Sequence, residues 1–180
     1  LLDILSIRMK NNKIHWKISY VGLGSNQDNP IKQIENALVN IGKIERTHLI
    51  KKSSFFETEP VGPIEQPNFI NAAVALLTML DPYELLMKLQ HIEKIQKRER
   101  GSTRWGPRTI DLDILFYSNM VTNDDKLVLP HPEIQNRDFV LFPLSEIAPE
   151  LMVSKYLNVV DLLEMEKPQN LSVKKIKNDD

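Results

Sequence analysis

Apolar and polar residues alternate along this chain with two periods, and the order of those periods predicts its fold. Ile18 to Leu23 reads as a strand running into Gly24-Ser-Asn-Gln-Asp-Asn-Pro30. Asn29 suits a helix cap and Pro30 the first helical position, and Ile31, Ile34, Leu38 and Ile41 recur at helical spacing up to Gly42. Thr47 to Phe56 predicts a second strand. Phe69 to Leu77 predicts a third, with Ile70, Ala72, Val74 and Leu76 on one face and Asn71, Ala73 and Ala75 on the other. Between these two, the stretch from Glu57 to Pro67 contains three prolines and a glycine, which exclude regular structure and mark a loop long enough to be functional. Asp81-Pro-Tyr-Glu84 opens a second helix with a capping box, and Leu85, Leu89, Ile92 and Ile95 carry it to about Lys97. From Thr109 to Tyr117 a further strand places Ile110, Leu112, Ile114 and Phe116 on one face and Asp111 and Asp113 on the other.

The order strand, helix, strand, strand, helix, strand is that of a ferredoxin-like βαββαβ core, an α+β fold with an antiparallel sheet and both helices on one face. The face bearing Asp111 and Asp113 is then left for ligands and the two long loops. A C-terminal extension follows. Asn119 to Leu129 predicts a turn and short hairpin, Pro130-His-Pro-Glu133 a loop or short helix, Val140 to Ile147 an apolar segment, and Val159, Leu162 and Leu163 an amphipathic helix. Residues 1–17 read as an N-terminal extension or linker, 18–166 as the domain, and 167–180 as a charged tail or linker that frays and is assigned no role. The first residue is Leu1, from which a fragment, a processed chain or a domain cut from a longer protein is expected.

Composition narrows the field. A chain of 180 residues with 42% hydrophobic content fits one domain with a real core. A net charge of -1 supplies no general attraction to nucleic acid or membrane. The lack of cysteine excludes disulfides, thiolate metal sites and cysteine nucleophiles. No apolar run reaches membrane-spanning length, and a cytoplasmic location, organellar in a eukaryote, is the simplest expectation.

Candidate chemistry concentrates in one stretch. Two aspartates two residues apart on a strand sit roughly 7 Å apart and repel unless a cation lies between them. Aspartate pairs also occur on solvated strand faces, but the residue is depleted in strands, so two together call for a reason. Arg98, Arg100, Arg104 and Arg108 lie just upstream with Trp105 among them. Planar guanidinium forks match phosphate oxygens, and magnesium takes one or two protein carboxylates with phosphates and water completing its shell. Cation, arginines and aromatic together point to a nucleoside triphosphate. Gly22-Leu-Gly-Ser-Asn26 lacks the spacing of either glycine-rich phosphate motif and reads as a tight structural turn. His15, His48 and His91 have no ligand spacing.

Gly22-Leu-Gly-Ser-Asn26, Ser53-Ser-Phe-Phe-Glu-Thr58, Val61-Gly-Pro63, Gln66-Pro-Asn-Phe-Ile-Asn-Ala-Ala73, Arg104-Trp-Gly-Pro-Arg-Thr-Ile-Asp-Leu-Asp113, Pro130-His131 and Asn136-Arg137 together resemble the 6-hydroxymethyl-7,8-dihydropterin pyrophosphokinases of folate biosynthesis. The resemblance runs in unbroken order from about Ile18 to Leu151. It implies transfer of pyrophosphate from ATP to the hydroxymethyl group of the dihydropterin, with AMP released. It further implies two magnesium ions on Asp111 and Asp113, with Arg98 and Arg108 contacting phosphate and Arg98 on a loop that closes over both substrates. ATP contacts carried over are Gln90, Glu93, Arg100, Trp105, Arg108, Ile114, His131 and Arg137. Pterin contacts are Thr58, Val61, Phe69, Asn71, Trp105 and Phe139, with Trp105 and Phe139 stacking on the ring and Asn71 reading its edge. Phe69 stands where tyrosine is expected, so any hydrogen bond from that side chain is lost. Fusion to, or association with, other folate-pathway enzymes is a further implication. Read without the resemblance, Phe69 and Phe139 suit a core, and Gln90 and Glu93 a solvated helix face.

Two other classes compete. Ferredoxin-like sheets with exposed aromatics bind single-stranded RNA, though the aromatic consensus and a basic charge are both missing. Asp-x-Asp also holds the metal of nucleotide-sugar transferases, but the chain is short for one and Trp105-Gly-Pro-Arg108 would have no task there.

Overall fold

A computed structural model of the chain describes residues 15–98, 106–165 and 172–176. Its elements in order are β1 (Lys17–Ser25), α1 (Pro30–Ile41), β2 (Thr47–Lys52), β3 (Phe56–Thr58), β4 (Phe69–Thr78), α2 (Pro82–Ile95), β5 (Asp111–Tyr117), the hairpin pair β6 (Thr122–Asn123) and β7 (Val128–Leu129), α3 (Asp138–Ile147), α4 (Val159–Glu164) and β8 (Val173–Lys175). The main sheet runs β5-β1-β4-β3-β8, with β2 also paired to β4, and every pairing in it is antiparallel. This is the expected ferredoxin-like α+β core with its C-terminal extension.

Local chemistry sets the helix ends. Asn29 accepts the Lys32 N–H ahead of Pro30, and Asp81 forms a capping box with Glu84 ahead of Pro82. α1 and α2 pack Ile34, Ala37, Ile41, Leu85, Leu89 and Ile92 against the sheet face made by Val21, Leu23, Ile70, Ala72, Val74, Leu76, Leu112 and Ile114. At the ends of the predicted helical stripes, Ile31 and Ile95 are exposed.

Four expectations need correction. The predicted strand from Thr47 to Phe56 is broken after Lys52. Ser53 donates its N–H to the Ala73 carbonyl while its hydroxyl accepts the Ala73 N–H, and pairing resumes only at Phe56. The Gly22 to Ser25 stretch is strand, not turn, because β1 pairs with β4 as far as Ser25. Phe116 does not share a face with Ile114: the β1–β5 register shifts between Tyr20 and Val21, leaving Leu115 as the extra residue of a β-bulge. Leu115 and Phe116 therefore both join Ala73 and Ala75 in a second core under α3 and α4, which holds Leu141, Leu144, Ile147, Val159 and Leu162. Finally, the charged tail carries a strand, since β8 pairs with all of β3. The second sheet face is thus half covered by helices and half left open.

No helix among the described residues is long and apolar enough to cross a membrane. Because Leu141 is fully buried in the second core, Leu141→Ala should cost about 2–5 kcal/mol. Denaturant titration checks this, and a loss under about 1 kcal/mol would show α3 to be an appendage and not part of the core.

Candidate active site

The open half of the second face is a trough whose floor is set by strand register. Gly24 pairs with Asn71 on one side and Asp111 on the other; Gly22 pairs with Ala73 and Asp113. Each row across three strands therefore has a glycine in the middle. At a strand spacing of about 4.8 Å, Asn71 and Asp111 stand roughly 10 Å apart with no side chain between them. A Cβ on Gly24 would meet Asn71 Oδ1 at 3.2 Å, and one on Gly22 would meet Leu115 at 3.4 Å. Thr58, Glu59, Val61 and Phe69 form one wall, and Arg137 at the start of α3 with Phe139 and Val140 of its first turn form another. The cleft between these walls is open to solvent at its mouth.

At the end of the trough beside Phe69, Asn71 donates to Thr58 Oγ1 at 2.8 Å. Both are buried, and the bond fixes the amide in one orientation, with its oxygen toward Gly24. Val61 and Phe69 supply apolar surface here, with Glu59 beside them. Asn26 ties the rim together: its side chain donates to Gln66 Oε1 and the Pro67 carbonyl and accepts the Arg108 N–H at 2.8 Å.

Charge gathers at the opposite end. Arg98 bridges Glu93 and Asp111, and Arg108 pairs with Asp111 as well. Glu93 is 1% exposed, and its carboxylate accepts the Leu112 N–H at 2.9 Å. This satisfies a backbone donor on the outer edge of β5. The Asp113 side chain forms no hydrogen bond or ion pair with the described residues, although its backbone pairs with β1. Burial, then the Asp111 charge and to a lesser degree that of Glu93, push its carboxyl up to about 7, while Arg98 and Arg137 work against the shift. His131 is half-buried, and its Nδ1 accepts the Glu133 N–H. Burial first, and then the Arg137 charge, lower its pKa, which favours the neutral ring. Arg137 also lies over the Phe139 ring at 5.6 Å.

The donor set suits a divalent cation. Two acids face one space, where burial and then the Asp111 charge raise the cost of ionising Asp113, and buried Asp111 Oδ1 has no hydrogen bond despite its ionic contact with Arg98. No group of three His, Cys, Asp or Glu residues among those described could hold a metal without help. Most ligands would have to be phosphate oxygens and water, which is the habit of magnesium.

The sequence model of the 7,8-dihydro-6-hydroxymethylpterin-pyrophosphokinase family matches residues 20–149. The chain belongs to this family. A 2-amino-4-hydroxy-6-hydroxymethyldihydropteridine pyrophosphokinase of Haemophilus influenzae is 42% identical over 146 residues, 81% of this chain and 91% of that protein. The protein of the same description from Bacillus subtilis is 40% identical over 134 residues, 74% of this chain and 80% of its own length. The folate synthesis bifunctional protein of Arabidopsis thaliana is 43% identical over 127 residues, 71% of this chain and 26% of that protein. Among solved structures, an HPPK-DHPS in complex with substrates aligns with a TM-score of 0.63 at 16% identity, over 82% of this chain and 43% of that one. That likeness bears on the fold, and the chain spans less than half of the solved protein.

Within this pyrophosphokinase, the cleft brings together Thr58, Val61, Phe69, Asn71, Arg108, Asp111, Asp113, Arg137 and Phe139. Arg98 reaches it through Asp111, and His131 senses the charges of Asp111 and Arg137. Glu93 is not on a solvated helix face, because its carboxylate is drawn under the edge of β5. Gln90 is half-buried on α2 and does not line the cleft. The Ile114 side chain points away, into the core beneath α1 and α2, since it lies one residue from Asp113 on a strand. An ATP contact from its side chain is therefore corrected, leaving only its backbone. Arg100 and Trp105 lie outside the described residues. Sequence reasoning missed Gly22 and Gly24 as the floor and Asn26 as the clamp. The signal was present, because two glycines two residues apart in a strand must share a face.

The raised Asp113 carboxyl has a pH consequence. Below about pH 4 both folded and unfolded chains hold the proton. Between there and about pH 7 the unfolded chain ionises while the folded one does not, so stability falls as pH rises. In metal-free buffer Asp113→Asn should therefore stabilise the fold by about 2 kcal/mol above pH 7, a figure reduced for screening by water in the cleft. The gain should vanish near pH 4. Melting curves across pH check this, and a gain independent of pH would contradict it.

Proposed function

We infer that the cleft carries out transfer of a pyrophosphoryl group from ATP to 6-hydroxymethyl-7,8-dihydropterin, a step of folate biosynthesis. The observation that carries this reading is the glycine-floored trough with a fixed amide at one end and paired acids at the other, in a member of the pyrophosphokinase family. The family works with ATP and a divalent metal. We propose magnesium, two ions with one nucleotide, and the reading includes a cytoplasmic site of action, organellar in a eukaryote.

The pterin would lie flat on Gly22 and Gly24 with its edge against Asn71 and its face against Phe139, a geometry suited to a planar heteroaromatic. Phe69 supplies apolar surface only. The triphosphate would lie along Arg108, Arg137 and His131, within reach of Arg98. The substrate hydroxyl oxygen bonds to the β-phosphorus, the bond from that phosphorus to the α,β-bridging oxygen breaks, and AMP departs while the hydroxyl proton passes to water. Asp111 and Asp113 would hold the cations, whose contribution is to neutralise phosphate charge and polarise the β-phosphoryl group. Arg98 and Arg108 contact Asp111 in this structure. With Asp111 holding a cation, both guanidinium groups would be available to phosphate oxygens, which their planar forks match. Family membership, together with a single acid-rich end in the cleft, leaves the RNA-binding and nucleotide-sugar readings without an observation in their favour.

A coupled assay for AMP tests the reading: AMP should form from ATP only with both the dihydropterin alcohol and magnesium present. AMP formation independent of the pterin would refute it. Replacing Asp111 and Asp113 together with Asn should abolish turnover. Arg98→Ala should lower kcat by about 10²-fold while ATP affinity changes little, because its phosphate contact forms late. An equal loss in kcat and affinity would place Arg98 in ground-state binding instead.

A further inference from the structure

The element left unexplained by the site is β8, which lies beyond the residues matched by the family model. It is attached to the part of the sheet that needs support most. β3 has three residues, lies between the Ser53–Phe55 interruption and the proline-rich loop from Glu59, and holds to β4 through three residue pairs. It nevertheless supplies Thr58, whose hydroxyl orients Asn71 in the cleft. On its outer side β8 pairs with all three residues, setting Lys175 opposite Phe56, Lys174 opposite Glu57 and Val173 opposite Thr58. The Ile176 N–H continues the pairing to the Phe55 carbonyl at 2.9 Å, and its side chain packs on the main core. β8 thereby converts a short edge strand into an internal one.

A second link runs through α3. Lys175 Nζ pairs with Glu146 Oε1 at 2.5 Å, and Glu146 Oε2 accepts the Ser54 N–H at 2.6 Å. Glu146 sits near the C-terminal end of the helix whose first residues include Phe139 and Val140 of the cleft wall. The same three-residue strand thus braces both sides of the trough end that holds Asn71, by pairing to β3 and by an ion pair to α3. It has no comparable connection to the acid end, since β5 is at the far side of the sheet.

We propose that Val173–Lys175 is a positioning element for the pterin half of the cleft, with Lys175 and Glu146 as its anchoring pair. The proposal rests on the pterin placement argued above. Deleting residues 172–180 should raise KM for the dihydropterin at least fivefold while KM for ATP stays within twofold. Lys175→Ala should raise pterin KM about twofold to threefold, and Lys175→Arg should restore it. Amide hydrogen exchange at Glu57 and Thr58 should speed up in the deletion and in Lys175→Ala, while β5 amides stay protected. If the deletion does not fold, the Lys175 pair of variants decides alone. Unchanged pterin KM, or equal increases for both substrates, would overturn the proposal. Failure of the intact chain to require pterin for AMP formation would instead overturn the underlying functional reading.

Discussion

The charge conflict between Asp111 and Asp113 is the constraint on which the cleft depends. Alternation along β5 obliges the two acids to face the same space, and the raised Asp113 carboxyl registers what burial, and then that proximity, costs. Glu93 adds a third negative group from below, where it is held by the Leu112 N–H. Arg98, Arg108 and Arg137 supply the opposing charge, but two of the three are spent on Asp111 and none pairs with Asp113. The result is a site in which the charges balance in number, while the Asp113 side chain is left without an ion pair among the described residues. The carboxylates of Asp111 and Glu93 are held in place by ion pairs and a backbone hydrogen bond, and such preorganisation is what makes buried charge useful to chemistry.

How much of this was legible in the residues depended on the range of the interaction involved. Helix starts were readable because Asn29-Pro30 and Asp81-Pro-Tyr-Glu84 act within four residues. The faces of β4 were readable because strict alternation leaves no choice of side. The acid pair was legible for the same reason, since Asp111 and Asp113 needed only a strand to be brought together. What escaped was set by partners distant in sequence. Glu93 looked solvent-facing on its helix, and only the outer edge of β5 gives its carboxylate a buried use. The bulge at Leu115 depends on β1, and nothing near Phe116 announces that its face will switch. The strand in the charged tail escaped because three lysine-rich residues have little strand preference, and the open edge of β3 supplies what they lack.

The bulge explains how one sheet face does two tasks. Up to Asp113, the β5 residues on the second face are acids looking into an open trough. One bulge later, Leu115 and Phe116 both point to that face and bury themselves under α3 and α4. A regular strand would alternate, sending Phe116 back toward α1 and α2 and leaving a hole in the second core. Doubling two apolar residues on one side closes the trough at that point, and Leu115 itself serves as both core and cleft wall. The boundary between solvent-accessible chemistry and close-packed interior is therefore one residue wide. This ties the second core to the site: α3 can carry Arg137 and Phe139 to the cleft mouth because its next turns are seated on the residues the bulge turned toward it. Bulges beside active sites commonly re-aim a side chain. Here the bulge re-aims a packing surface, and the packing surface aims the helix.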